Sequence, residues 1–120
     1  MMMFWIRTAS TIMFLGVALG AFGAHGLKDV LSDSMKAVFE TGVRYQMIHG
    51  LALFIVAWLS SRGSSEVVHA AGWCFIAGVL LFSGSLYILS LTGVRAWGAV
   101  TPIGGLAFLA GWLCLALSRI

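Results

Sequence analysis

The sequence predicts an all-α integral membrane protein: a four-helix bundle with an amphipathic helix between its first and second spans. Three observations carry that expectation. Hydrophobic residues make up 61% of the 120 positions and charged residues only 9%, and the mean hydropathy is +1.03, more apolar surface than a soluble domain of this length can hide. The apolar residues gather into four runs, each near the ~20 residues a spanning helix needs. Polar and charged residues collect between the runs, so one transmembrane domain covers residues 1–120 with little chain left for a soluble globule.

The first span is expected over residues 4–24. Arg7 ahead of an apolar stretch, with Ala21-Phe22-Gly23 loosely like a cleavage site, also suggests a secretory signal. A span is preferred, because Ala9, Gly16, Gly20 and Gly23 form a helix-packing stripe that a discarded peptide does not need. The long connection after it, GLKDVLSDSMKAVFETGVR, carries Met35, Val38, Phe39, Gly42 and Val43 at helical spacing and Lys36, Glu40 and Arg44 at i, i+4. This connection, residues 27–44, is expected to form an amphipathic helix capped by Ser32 or Asp33. That helix either lies in the headgroup plane and turns into the second span near Gly42, or is an ordinary linker helix. Spans two, three and four are expected over residues 45–60, 70–91 and 97–117. The polar, Gly-containing connections at 62–69 and 92–96 are short, which makes these spans antiparallel neighbours.

Four spans put both termini on one side of a cell (inner) membrane. Trp5, Trp58, Trp73 and Trp112 then form one aromatic belt, and Tyr45, Tyr87 and Trp97 the other. Three basic residues on the terminal side against four on the other lean weakly toward a cytoplasmic long connection. The net charge of +3 comes from scattered Lys and Arg, with no basic run, so membrane lipids are expected partners and nucleic acid is not. Cys74 and Cys114 lie in apolar runs without metal-ligand spacing and read as core residues; no metal or cofactor is expected.

Helices in lipid associate through close van der Waals fit, which needs small residues on one stripe. Span one supplies Gly16, Gly20 and Gly23; span three supplies Ala71, Gly78 and Ser85; span four supplies Gly104, Ala107, Gly111, Cys114 and Ser118. The fifteen glycines are therefore read as packing residues, since no phosphate-loop pattern follows a strand. Whether the stripes form seams within one chain or a homo-oligomer is left open by the sequence.

Polar residues collect in the leaflet facing the long connection: His25, then Tyr45, Gln46 and His49, then Ser83, Ser85, Tyr87 and Ser90, then Thr101 and Pro102. His49 falls about one turn inside the second span and shares a face with Tyr45. It reads either as a core histidine tied to a tyrosine or to a serine hydroxyl of span three, or as part of a ligand site. Axial ligation of haem by His25 and His49 is conceivable, but nothing else specifies haem. Pro102 fits the first turn of span four, or else loosens that helix. His69 is expected to be solvated, and Arg44 to pair with Glu40 or a lipid phosphate. Asp29, Asp33, Glu40 and Glu66 all fall outside the apolar runs, so the intramembrane carboxylate of a coupled carrier is not expected. No nucleophile with a matched base appears either, and no enzyme is expected.

The stretches GAFGAHGL (20–27), TGVRYQMIHGLAL (41–53), LFSGSLYILSLTG (81–93) and TPIGGLAFLAGW (101–112) together resemble the YgdD/YwdK family of small four-span membrane proteins. The resemblance covers nearly the whole chain. It implies a four-helix inner-membrane protein and brings no established activity. The family's motif positions here are His25, Arg44, Tyr45, Gln46, His49, Ser83, Gly84, Ser85, Tyr87, Thr101 and Pro102.

Together these readings give a candidate ligand site of His25, Arg44, Tyr45, Gln46, His49, Ser83, Ser85, Tyr87 and Thr101, with Arg44 at its rim and His49 at its floor. A lipid or other amphiphile is the expected ligand. A structural or assembly role beside another membrane protein, and a small pore or carrier, are the competing expectations.

Overall fold

The computed structural model describes residues 1–63 and 65–119; Ser64, in the connection 62–69, and Ile120 lie outside the described residues. Four helices are long and apolar enough to cross a membrane: α1 (Met2–His25), α2 (Asp33–Arg62), α3 (Glu66–Thr92) and α4 (Arg95–Leu117). No strand occurs among the described residues.

Ser32 caps α2: its backbone is extended, and its Oγ accepts from the Met35 N–H at 3.2 Å, one of the donors that a helix start leaves without a partner. From there the helix runs unbroken to Arg62. This corrects the expected separate amphipathic helix. Gly42 is no hinge but a buried packing residue, where an added Cβ would meet the Tyr87 ring at 2.8 Å. The expected apolar face is present, yet its partner is protein rather than the headgroup plane. Phe39 is buried against Gly23, and Val43 packs against Gly20. Lys36 Nζ donates to the Lys28 carbonyl at 3.0 Å and pairs with Asp33 at 3.2 Å, tying the start of α2 to the preceding turn.

The other helix ends are set by their residues. Gly93 closes α3 in the left-handed region (φ 72°), its N–H bonded to the Leu89 carbonyl at 2.8 Å, a conformation that glycine adopts without steric cost. α4 opens with a 3-10 segment, Arg95–Ala99, before the α-helix Thr101–Leu117. Pro102 stands in the first turn of that α-helix, where its missing N–H breaks nothing.

Contacts between α1 and α2 set an antiparallel register: Gly23 faces Phe39, Gly20 faces Val43, Gly16 faces Met47 and Met13 faces Gly50. Between α3 and α4 the fit is reciprocal. The Phe108 ring fills the space that a side chain on Gly78 would need, and the Phe75 ring fills the space over Gly111. At Gly104 the backbone of Phe82 itself comes within contact. The expected small-residue stripes are thus seams inside one chain: Gly16, Gly23, Gly78 and Gly111 are sockets for large side chains, and Gly104 admits the backbone of a neighbouring helix. Gly50 and Gly72, absent from those stripes, do the same for Met13 and Trp5.

The apolar core lies toward the chain termini, built on Trp5, Leu53, Val56, Val68 and Phe75, all fully buried. Trp5 therefore does not belong to an aromatic belt. Its ring lies over Gly72, and its Nε1–H donates to His69 Nδ1 at 3.0 Å, which also removes His69 from the solvated role expected of it. A π-helical turn in α3, Val79–Ser83, has no counterpart among the sequence expectations; there the Gly84 N–H reaches back to the Val79 carbonyl. The added residue re-aims the C-terminal half of the helix.

Candidate functional site

The polar residues of spans two, three and four are mostly ties between helices. Gln46, 4% exposed, donates from Nε2 to the Ile12 carbonyl at 2.9 Å and accepts the Tyr87 hydroxyl on Oε1 at 2.6 Å, joining α1, α2 and α3. Ser83, beside the π turn, donates to the Gly42 carbonyl at 2.6 Å. Ser85 gives its proton to the Phe82 carbonyl at 2.9 Å, so in the 2.6 Å hydroxyl pair with Thr101 the threonine is the donor. Ser90 is satisfied within its own helix by the Tyr87 carbonyl. Among the described residues no buried side-chain nitrogen or oxygen lacks a partner.

His49 belongs to this set. Its Nδ1 lies 2.7 Å from the Tyr45 carbonyl, which can only accept, so Nδ1 carries the proton. Its Nε2 then accepts the Trp112 Nε1–H at 2.9 Å. The ring stacks on Phe108 with centroids 3.5 Å apart. Both nitrogens are used and the side chain is 3% exposed, as for a neutral core histidine, and the same residue lines the groove between α2 and α4 together with Arg44 and Tyr45. Its tie is to the indole of α4, not to a hydroxyl of α3. The expected belts put Trp112 in the opposite leaflet, because Arg119 lies only two turns beyond it; the register of α3 on α4 brings it to His49 instead.

The nine candidate residues do not converge on one pocket. Gln46 and Tyr87 close the seam of α1, α2 and α3; Ser83, Ser85 and Thr101 lie on the seams of α3 with α2 and α4; Tyr45 and His49 face α4. His25 is exposed at the end of α1, away from His49 in mid-α2, so the two histidines share no site. Among the described residues no cluster of three metal-binding side chains occurs.

Arg44 is different. It is exposed and makes no hydrogen bond or ion pair among the described residues; the expected pair with Glu40 is not formed. It lines two grooves. One, about 580 Å³, runs between α2 and α4 past Tyr45, Ile48, Phe82, Leu106 and Leu109. The other, about 170 Å³, runs between α1 and α2, with Glu40 and Lys36 on one wall and Gly20, Gly23 and Ala24 on the other.

The level of Arg44 follows from helix register. The uncharged stretch of α1, residues 8–27, is centred on Val17 and Ala18, which the glycine contacts place level with Gln46 and Tyr45. The uncharged stretch of α3, residues 67–94, is centred near Leu80 and Leu81, just below the Ser83–Gly42 bond. That of α4, residues 96–118, is centred on Ala107, beside the Phe108 ring stacked on His49. The centres of these three uncharged stretches therefore fall level with the segment of α2 between Tyr45 and His49, although the uncharged run of α2 itself extends from Tyr45 to Ser61. Arg44 stands close to that level and Glu40 one turn above it, beside the uncharged stretch of α1.

Four apolar helices, tied by buried polar side chains and grooved on the lipid side, define the class: a small polytopic membrane bundle. The family is equally definite. The model of a "Protein of unknown function (DUF423)" family matches residues 19–105. The UPF0382 membrane protein SH2409 of Staphylococcus haemolyticus is 50% identical over 117 residues, 98% of this chain and 95% of that protein. The UPF0382 membrane protein YwdK of Bacillus subtilis is 49% identical over 107 residues, 88% of this chain and 87% of that protein. The chain belongs to the DUF423 (UPF0382) family of membrane proteins, whose function is unknown. No solved structure matches it.

Proposed function

We propose that the protein binds an amphiphile in the membrane, holding a phosphate group at Arg44 while the tail lies in the groove between α2 and α4. The observation that carries this reading is the position of Arg44: a guanidinium level with the centres of the uncharged stretches of α1, α3 and α4, at the junction of two grooves, without a partner among the described residues. An ionisable side chain at that depth is costly unless paired, and marks a functional position by default. A guanidinium offers a planar fork of donors matched to phosphate oxygens. The groove walls are apolar and open sideways, as a hydrocarbon tail requires.

The buried ties then have a supporting role. His49, stacked on Phe108 and bonded to Trp112, forms part of the wall of the α2–α4 groove, with its ring nitrogens already engaged. In this reading the protein is a non-catalytic binder of a cell inner membrane, with both termini on one side. The test is native mass spectrometry of protein released from membranes in mild detergent. Arg44→Gln is expected to lose bound phospholipid about tenfold, the loss of one charge-assisted contact, with Arg44→Lys retaining part of it. Equal lipid on wild type and Arg44→Gln, both folded, would refute the reading.

A further inference from the structure

We infer that the headgroup held beside Arg44 carries a primary ammonium next to its phosphate, with the phosphate on the Arg44 guanidinium and the ammonium on the Glu40 carboxylate. This deepens the function proposed above and rests on it. Glu40 and Arg44 are one helical turn apart on the exposed face of α2, and both line the groove against α1. Side chains at i, i+4 stand about 5–6 Å apart at Cβ, a separation that the two-carbon spacer of a phosphoethanolamine unit bridges. Neither charge is used within the described residues. The one ion pair among them is Lys36 with Asp33, and Lys36 is held further by the Lys28 carbonyl, so the nearest cation on the same face is drawn away from Glu40.

Charge complementarity selects the ligand class. Lys36, on the same wall, has its charge met by Asp33; the carboxylate and guanidinium that remain are neutral together, so a purely anionic headgroup gains Arg44 but meets Glu40 as a like charge. A zwitterionic headgroup satisfies both. Register places Glu40 level with Gly23 of α1, about five residues inside Lys28 and so about 8 Å below it at 1.5 Å per residue. A carboxylate there is costly without a cation. The facing wall leaves room for one at Gly20 and Ala24, which carry almost no side chain; a Cβ on Gly20 would meet only Val43, at 3.4 Å, whereas the space over Gly23 is taken by the Phe39 ring. Leu27, Leu31 and Phe39 complete the lining and make it a lipid site rather than one for a free solute.

The test is retention of phosphatidylethanolamine against phosphatidylglycerol, supplied in equal amounts in nanodiscs and read by native mass spectrometry. Wild type is expected to keep the ethanolamine lipid over the glycerol lipid by about tenfold, as one ion pair provides. Glu40→Gln, at an exposed position, should bring that ratio near one by lowering retention of the ethanolamine lipid, with the glycerol lipid still retained through Arg44; Arg44→Gln should strip both lipids. Glycerol lipid retained as well as ethanolamine lipid by wild type, or an unchanged ratio in Glu40→Gln, overturns the inference. The two failures are distinct. Arg44→Gln that keeps both lipids sinks the binding function itself, whereas Arg44→Gln that strips them beside an unaltered Glu40→Gln ratio sinks only the headgroup assignment.

Discussion

At the scale of single residues, hydrogen-bond capacity separates structural from functional polarity. Gln46, His49, Ser83, Ser85 and Tyr87 have spent their donors and acceptors inside the bundle, whereas Arg44 and Glu40 have not. His49→Leu should thus act through stability, leaving the Trp112 N–H without its acceptor. Interhelical hydrogen bonds in membranes are worth about 1 kcal/mol, and a fall of that order in unfolding free energy, with lipid retention unchanged in the folded fraction, is the expected outcome of denaturant titration in detergent. Loss of bound lipid with full stability would return His49 to the ligand site. The residue types of this cluster were legible in the sequence; their pairing was not. A histidine among hydroxyls suggests a hydroxyl partner, and only the fit of α4 on α3 shows that an indole reaches it first.

At the scale of elements, small residues decide how closely the helices approach. Gly104 and Gly84 make a matched pair for experiment. A side chain on Gly104 would run into the Phe82 backbone, which cannot swing aside as a flexible side chain can, whereas Gly84 has nothing within 4 Å. Gly104→Ala should cost about 1–3 kcal/mol, the range for overpacking. Gly84→Ala should be neutral or stabilise by up to about 1 kcal/mol, the gain in helix propensity. Thermal denaturation of the two variants in one detergent checks the contrast, and equal effects would contradict the register of α3 on α4. Four spans, the stripes, the Ser32 cap and the place of Pro102 were readable because each is local: a length, a period, a residue type beside a helix end. The continuity of α2 and the π turn of α3 were not, because both are settled by neighbouring helices. Phe39 and Gly42 stay helical while packed on Gly23 and Tyr87, and the extra residue of the π turn accompanies the aim of Phe82 at Gly104 and of Ser83 at Gly42.

At the scale of the whole molecule, the position of the bundle in the bilayer governs the functional reading. Hydropathy along α2 alone centres its apolar run near Leu53, with Glu40 and Arg44 among the headgroups. Registered against the other three helices, α2 meets the centres of their uncharged stretches between Tyr45 and His49, and the proposed function takes that level as the bilayer centre, with the charges of α2 inside the hydrocarbon. Depth is therefore a tertiary property here, set by which residues of different helices stand level. The most direct measurement is spin-label accessibility to oxygen and to a polar nickel chelate in lipid bilayers. Labels would be placed one at a time at the lipid-facing positions Ala37, Ile48 and Ile55, with Cys74 and Cys114 replaced by Ala. A centre between Tyr45 and His49 makes Ile48 the deepest of the three and Ile55 shallower by roughly 10 Å at 1.5 Å per residue. Ile55 as the deepest label, with Ile48 nearer the surface, would put Arg44 back among the headgroups and remove the reason for reading it as a buried phosphate site.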